Sequence, residues 1–484
     1  MRHTFPFSIF IISFCIYTLL TFLISWLTTR NIGKKSFFSG NRKTPWPIIA
    51  YGMLGASISG ITFISVPGNV LTQNFYYMPM VLGFILGYYI VAKVLIPVFY
   101  KKNVISIYSY LGQRFGRTSQ TTGSIVFMLA NILSTGVRIF MLILVLFTFV
   151  PRTDPLTFAL IAFIFVILLF LYTFKGGVKT IIWTDVMQTT LLLLAAVLTF
   201  VVVWKKLDLD FNDLRQYTSM FEWQWSSPIN AVKQFVAGVF IVIAMTGLDQ
   251  SMMQKNLACK NIRSAQKNLM TTSIIILVVN YFFLLLGAVL AIFVKSHGGM
   301  EVLGIQSTDQ IFPLVASQYM GVGVGVVFLI GLVSASYPST GWAITSLTTS
   351  FCMDFLSFDK RVDWTEKDKK RKRIKVHGFF AFLLFLLVMI FYYINNDAVI
   401  NTIYKMVSYT YGPLIGLFSF GIFMKCKIRD RYVPYIAILS PVISFFINIL
   451  SKKYLNFDLG FSLLVLNGLI AFIGLYLLRI KKKY

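Results

Sequence analysis

Acidic residues and histidines are scarce in this chain. Its 484 residues include 17 Asp and Glu against 44 Lys and Arg, and three His: His3, His297 and His377. General acid–base chemistry and metal-assisted hydrolysis draw on these residue types, and here they do not cluster. All three histidines are expected to lie outside the membrane core, which argues against a histidine proton relay. The four cysteines, Cys15, Cys259, Cys352 and Cys426, lack metal-type spacing and give no disulfide framework. There is no Gly-rich phosphate loop ending in Lys-Ser/Thr, no nucleophile elbow and no HExxH. Soluble domains are absent too. The longest non-membrane stretches, 205–229, 295–318 and 351–375, are each roughly 25 residues, too short to build a core.

Apolar sequence is abundant. Hydrophobic residues make up 57% of the chain and the mean hydropathy is +0.76. Thirteen long apolar runs recur, at 5–28, 46–67, 76–99, 120–150, 155–173, 180–204, 230–248, 268–294, 319–350, 376–395, 399–424, 432–451 and 458–478. About 20 apolar residues in a helix span a bilayer core, whereas a transmembrane barrel would show short alternating strands. The expectation is an all-α membrane protein with about thirteen transmembrane helices. The first run is too long for a signal-peptide core and is followed by Arg30, Lys34 and Lys35, so it reads as a retained helix.

The net charge of +27 is distributed by topology rather than for nucleic acid. With the N-terminus outside, 32 of the 44 Lys and Arg fall in 28–45, 100–118, 174–179, 250–267, 354–376, 425–431 and 479–484. Eight fall on the opposite side, and Lys93, Arg138, Lys233 and Lys405 lie in or near helices. Cytoplasmic loops carry the basic excess, which places the C-terminus in the cytoplasm. The run Lys367–Arg373 reads as a topology anchor near anionic lipid.

Polar residues inside the runs carry the functional information, because the bilayer makes them costly. The second run, Tyr51-Gly-Met-Leu-Gly-Ala-Ser-Ile-Ser-Gly-Ile-Thr-Phe-Ile-Ser-Val-Pro-Gly68, suits an unwound helix whose freed carbonyls hold a cation or substrate; close packing through small residues is the competing explanation. Arg138 sits midway along the fourth run, facing either a solute pathway or a structural partner such as Asp185. Asp185, two turns beyond Gly177, is an intramembrane carboxylate, a hard oxygen ligand or a counter-ion. The ninth run places eight hydroxyls between Ser336 and Ser350. Either they coordinate a cation, with carbonyls bared at Pro338 and Gly341, or they bond back to their own helix. With no Walker motif, transport would run on a gradient rather than on ATP.

Five stretches taken in order, Phe37-Phe-Ser-Gly-Asn-Arg42, Gly55–Gly68, Gly176–Gln188, Gly247–Asn256 and Ser346–Asp354, resemble the sodium/solute symporter family, the group containing sugar, proline and sialic acid symporters. The resemblance implies one transporter domain, 1–484, in the bacterial inner (cytoplasmic) membrane. It has a LeuT-type core of two inverted five-helix repeats, 46–228 and 229–431, with a leading helix and loop in 1–45 and two trailing helices in 432–484. It implies Na+ as coupling ion, held by the backbone of Gly55, Ile58 and Ala335 and by the Ser339 side chain. At 338, where the family has a second hydroxyl, this chain has Pro. Asp185 matches an acid that serves a second cation site in some members, but Gly341 and Trp342 stand where close relatives carry Asp-Ser.

Ser57, Ser59 and Thr62 resemble the residues lining the sialic acid site, and Arg138 the arginine that holds the substrate carboxylate. The resulting expectation is sodium:solute symport, by alternating access, of a carboxylated sugar or other small organic anion. The alternatives are an uncoupled transporter, or one coupled to protons or another cation, carrying a neutral sugar or polyol, and a membrane sensor. Membrane lipid and a small solute are the partners implied.

Overall fold

The computed structural model describes every residue except 1–5, 30–37, 39–43, 148, 151–153, 360, 362, 395–396, 456–458 and 481–484. Of the stretch Phe37–Arg42, only Phe38 is therefore described. In hydrocarbon a backbone has no water to bond, so apolar runs satisfy themselves as helices. Each of the thirteen runs coincides with helix. In chain order these are α1 (Phe7–Thr29), α2 (Trp46–Ser57), α3 (Gly60–Gln73), α4 (Met78–Lys101), α5 (Arg117–Phe147), α6 (Pro155–Phe174), α7 (Thr180–Lys206) and α8 (Ala231–Gly247). They continue as α9 (Gln250–Leu257), α10 (Ile262–Ser296), α11 (Val322–Ser350), α12 (Glu366–Ile394), α13 (Asp397–Phe423), α14 (Val433–Leu455) and α15 (Leu463–Leu477). Among the described residues, nine helices are long and apolar enough to cross a bilayer, and two bent pairs raise the number of spans to eleven. No strand forms among those residues, only the isolated bridges Thr44–Cys259 and Ile428–Arg479.

The bent pairs organise the molecule. α2 and α3 meet at 57°, and α8 and α9 at 67°. A third interruption separates α6 from α7 at Gly177, whose φ of 53° and ψ of −138° suit a residue without a Cβ. Residues 250–267 were expected to be cytoplasmic loop, but 250–257 form α9, whose polar residues are buried. His377, expected outside the membrane core, lies in α12, buried between Thr173 Oγ1 (2.8 Å) and Thr348 Oγ1 (2.9 Å).

Small residues set how closely α4 and α8 approach. A Cβ on Gly83 would overlap the Phe235 carbonyl, and one on Gly238 the Met80 carbonyl, so α4 and α8 cross at backbone contact. Neither obstacle is a flexible side chain. Gly238→Val is therefore expected to destabilise the protein by about 1–3 kcal/mol or more, the usual cost of overpacking, read as a lower melting temperature in detergent. An unchanged melting temperature would show that these backbones are not in contact.

Candidate functional site

The break between α2 and α3 follows from local sequence. Ile58 (φ −90°, ψ 96°) and Ser59 (φ −75°, ψ 165°) are extended. Ser59 N-caps α3, its Oγ accepting the Thr62 N–H at 3.3 Å and lying 3.2 Å from Thr62 Oγ1. A helix end leaves its last carbonyls without intrahelical partners, so the turn from Gly55 to Ile58 carries unspent acceptors in a mostly buried position. α2 rests on α7. A Cβ on Gly52 would come within 3.1 Å of Asp185 Cβ, and one on Gly55 would overlap Thr189 Oγ1. On the other side of the break, a Cβ on Gly60 would overlap Ser336 Oγ of α11. The break thus lies between α7 and α11. Beside it, Thr189 Oγ1, against Gly55, is buried with no hydrogen-bond partner among the described residues. Buried polar atoms are normally satisfied, and such an oxygen is one that a dehydrated cation can use.

Along α11 most hydroxyls bond back to their own helix. Ser336 Oγ donates to the Leu332 carbonyl (3.1 Å), Ser339 Oγ to Ser336 (3.0 Å) and Thr340 Oγ1 to Ser336 (2.8 Å). Ser346, Thr348 and Thr349 do likewise. Back-bonding uses the hydroxyl hydrogen and leaves oxygen lone pairs, so it orients an oxygen without consuming it. Pro338 does not break α11, which runs unbroken from Val322 to Ser350; having no N–H, it leaves the Ser334 carbonyl without its helical donor. The Tyr337 carbonyl, one turn before Gly341, accepts from Tyr172 Oη (3.3 Å) and Thr340 Oγ1 (3.2 Å).

The second break, at Leu248–Asp249, is more polar than the first. Asp249 Oδ1 caps α9, accepting from Ser251 N (2.7 Å) and Met252 N (3.3 Å), and its Oδ2 accepts from Tyr411 Oη (2.7 Å). Gln250 bridges the Ile105 carbonyl and the Ile107 N–H (both 2.9 Å). Gln254 donates to the Phe38 carbonyl (2.7 Å) and Thr349 Oγ1 (3.0 Å). At the next residue, Lys255 Nζ donates to Asp185 Oδ2 at 3.0 Å, with both side chains 1% exposed. Trp342 Nε1 donates to the same oxygen at 2.7 Å. The counter-ion of Asp185 is thus Lys255, not Arg138 and not the basic inner surface.

A model of the sodium:solute symporter family matches residues 37–429. The chain belongs to that family. It is 24% identical over 439 residues to the sodium/sialic acid symporter SiaT of Proteus mirabilis, which covers 87% of this chain and 86% of the relative. It is 26% identical over 407 residues to the sodium/sialic acid symporter NanT of Aliivibrio fischeri, covering 80% and 77%. Among solved structures, a Na+-coupled sialic acid symporter in a substrate-bound outward-open state matches with a TM-score of 0.81 at 21% identity, over 97% of both chains. The protein is a multi-pass membrane transporter and not an enzyme; it couples an organic solute to Na+.

In this symporter the residues singled out from sequence fall into three groups. Gly55 and Ile58 lie at the first break, while Ala335 and Ser339 lie on the facing stretch of α11, all buried. Ser57, Ser59 and Thr62 straddle the same break, half-buried. Arg138 is carried by α5, which packs against α3 and α11. It is half-buried and pairs with no acid among the described residues. Asp185 borders the first group through Gly52 but is held by Lys255 and Trp342. Sequence reasoning missed Lys255, and named Trp342 only as standing where relatives carry a cation ligand, not as a donor to Asp185. Lys255 sits in Gln250-Ser-Met-Met-Gln-Lys-Asn-Leu257, which lacks an apolar run, so its charge counted as a loop charge. Just outside the membrane segments, burial pushes the Cys259 thiol up to about 12, which makes it inert at neutral pH.

Proposed function

We propose that this symporter carries a carboxylated sugar or similar small organic anion into the cell with Na+, by alternating access around the two helix breaks. The observation that carries this reading is Arg138. A guanidinium within a membrane-spanning helix is costly unless it faces a cavity or a counter-ion. Here the acid named as its structural partner, Asp185, is already taken by Lys255. A solute carboxylate, gripped bidentately, is the natural complement. The sialic acid transported by both bacterial relatives is such a carboxylated sugar. Ser57, Ser59 and Thr62 supply hydroxyls for its neutral polar groups, and the Na+ lies against the carbonyls of Gly55, Ile58 and Ala335 and the Ser339 hydroxyl.

The two breaks support two inverted repeats, 46–228 and 229–431, since each opens one repeat. With the leading helix and two trailing ones, this gives thirteen helices, an outside N-terminus and a cytoplasmic C-terminus in the inner membrane.

The test is uptake into proteoliposomes of a panel of sugar acids, neutral sugars and polyols under an inward Na+ gradient. A sugar acid is expected to accumulate, with accumulation lost when choline replaces Na+. Accumulation of a neutral sugar alone would overturn the solute assignment.

A further inference from the structure

The Asp185–Lys255–Trp342 cluster has a role that the Na+ site at the first break does not cover. It joins three elements: α7 through Asp185, α9 through Lys255, and α11 through Trp342. The Lys255 ammonium lies 3.0 Å from Asp185 Oδ2 and 4.5 Å from the centroid of the Trp342 ring. The indole N–H donates to the same carboxylate oxygen at 2.7 Å. The ammonium is therefore wedged between a carboxylate and a π face, the two kinds of group that best hold a cation away from water. Gly341, next to Trp342, lets Tyr172 Oη approach the α11 backbone: a Cβ there would overlap it.

We infer that Lys255 is a tethered cation that neutralises the Asp185 carboxylate, whose Oδ2 it shares with Trp342 while Oδ1 has no hydrogen-bond partner among the described residues, and so limits this symporter to a single bound Na+. One carboxylate and one ammonium leave the cluster neutral. A mobile Na+ added at Asp185 would bury a second positive charge with no further acid beside it among the described residues. Uncompensated buried charge is strongly unfavourable. The sequence expectation that Asp185 binds Na+ gives way to a fixed charge doing the same electrostatic work, while the ion at the first break remains the one that moves. This inference concerns the ion count and does not depend on which solute is carried.

The test is equilibrium binding of radioactive Na+ to the purified full-length protein. The wild type is expected to bind a single Na+ per chain. Lys255→Met strips the carboxylate of its cation and is expected to bind one more Na+ than wild type. Its melting temperature should then depend more steeply on Na+, because a ligand that binds only the folded state stabilises it. Asp185→Asn combined with Lys255→Met removes both charges and is expected to return to a single Na+ with near wild-type affinity. Two Na+ per wild-type chain would overturn the inference. So would a folded Lys255→Met protein with no additional Na+, or a charge-free double variant that has lost the wild-type site. If Lys255→Met alone does not fold, the wild-type count and the double variant still decide.

Discussion

Arg138→Ala is expected to reduce binding and uptake of a carboxylated solute by about 10²-fold or more, while the protein still folds and still binds Na+. Truncating one partner of a buried, hydrogen-bonded charge pair costs about 2–5 kcal/mol, and each 1.4 kcal/mol is tenfold in affinity. The effect should be large because Arg138 has no acid partner among the described residues to share its charge. It should be confined to solute because removing an unpaired guanidinium from the bilayer relieves desolvation and does not strand a counter-ion. Arg138→Lys keeps the charge but loses the planar fork, so it should recover only part of the affinity. The measurement is solute binding to purified variants, with a Na+-dependent shift in melting temperature as the check on folding. Unchanged affinity in Arg138→Ala would remove the carboxylate from the solute's recognition.

Much of the scaffold was legible because the bilayer imposes it. Every apolar run became helix, and the Gly-Ala-Ser-Ile-Ser-Gly stretch after Leu54 broke where its composition allowed. Ser59 supplied a local cap, and Gly177 the backbone freedom between α6 and α7. These are short-range effects that a sequence displays directly. The second break was not legible as one. α9 has eight residues, mostly polar, and is held by partners distant in the chain: the Phe38 carbonyl, Ile105, Thr349 and Asp185. Burial of Lys255 depends on a carboxylate 70 positions away, which no local pattern announces. The hydroxyl-rich stretch of α11 left two readings open, cation ligands or back-bonding. Six of its eight hydroxyls bond back to their own helix, yet an oxygen that donates backward still accepts forward.

That last point can be tested on two neighbouring hydroxyls. Ser339→Ala is expected to raise the Na+ concentration for half-maximal binding roughly ten- to hundredfold, whereas Thr340→Val should change it by less than about twofold. Both side chains bond back to the Ser336 carbonyl, at 3.0 and 2.8 Å, and both are buried. If back-bonding were their whole purpose, the two substitutions would cost similar stability and neither would touch Na+. In the proposed site they differ. The Ser339 oxygen, fixed by its donated bond, offers lone pairs toward the break, where Pro338 supplies no second hydroxyl. Thr340 is also tied at 3.2 Å to the Tyr337 carbonyl, on the side of α11 where Tyr172 packs. Because Pro338 has removed the other hydroxyl of the pair, little remains to compensate for loss of Ser339, so its effect should exceed that of an ordinary ligand. Ser339→Thr keeps the oxygen and should restore most of the affinity. Equal Na+ affinities for Ser339→Ala and Thr340→Val would place the ion away from α11.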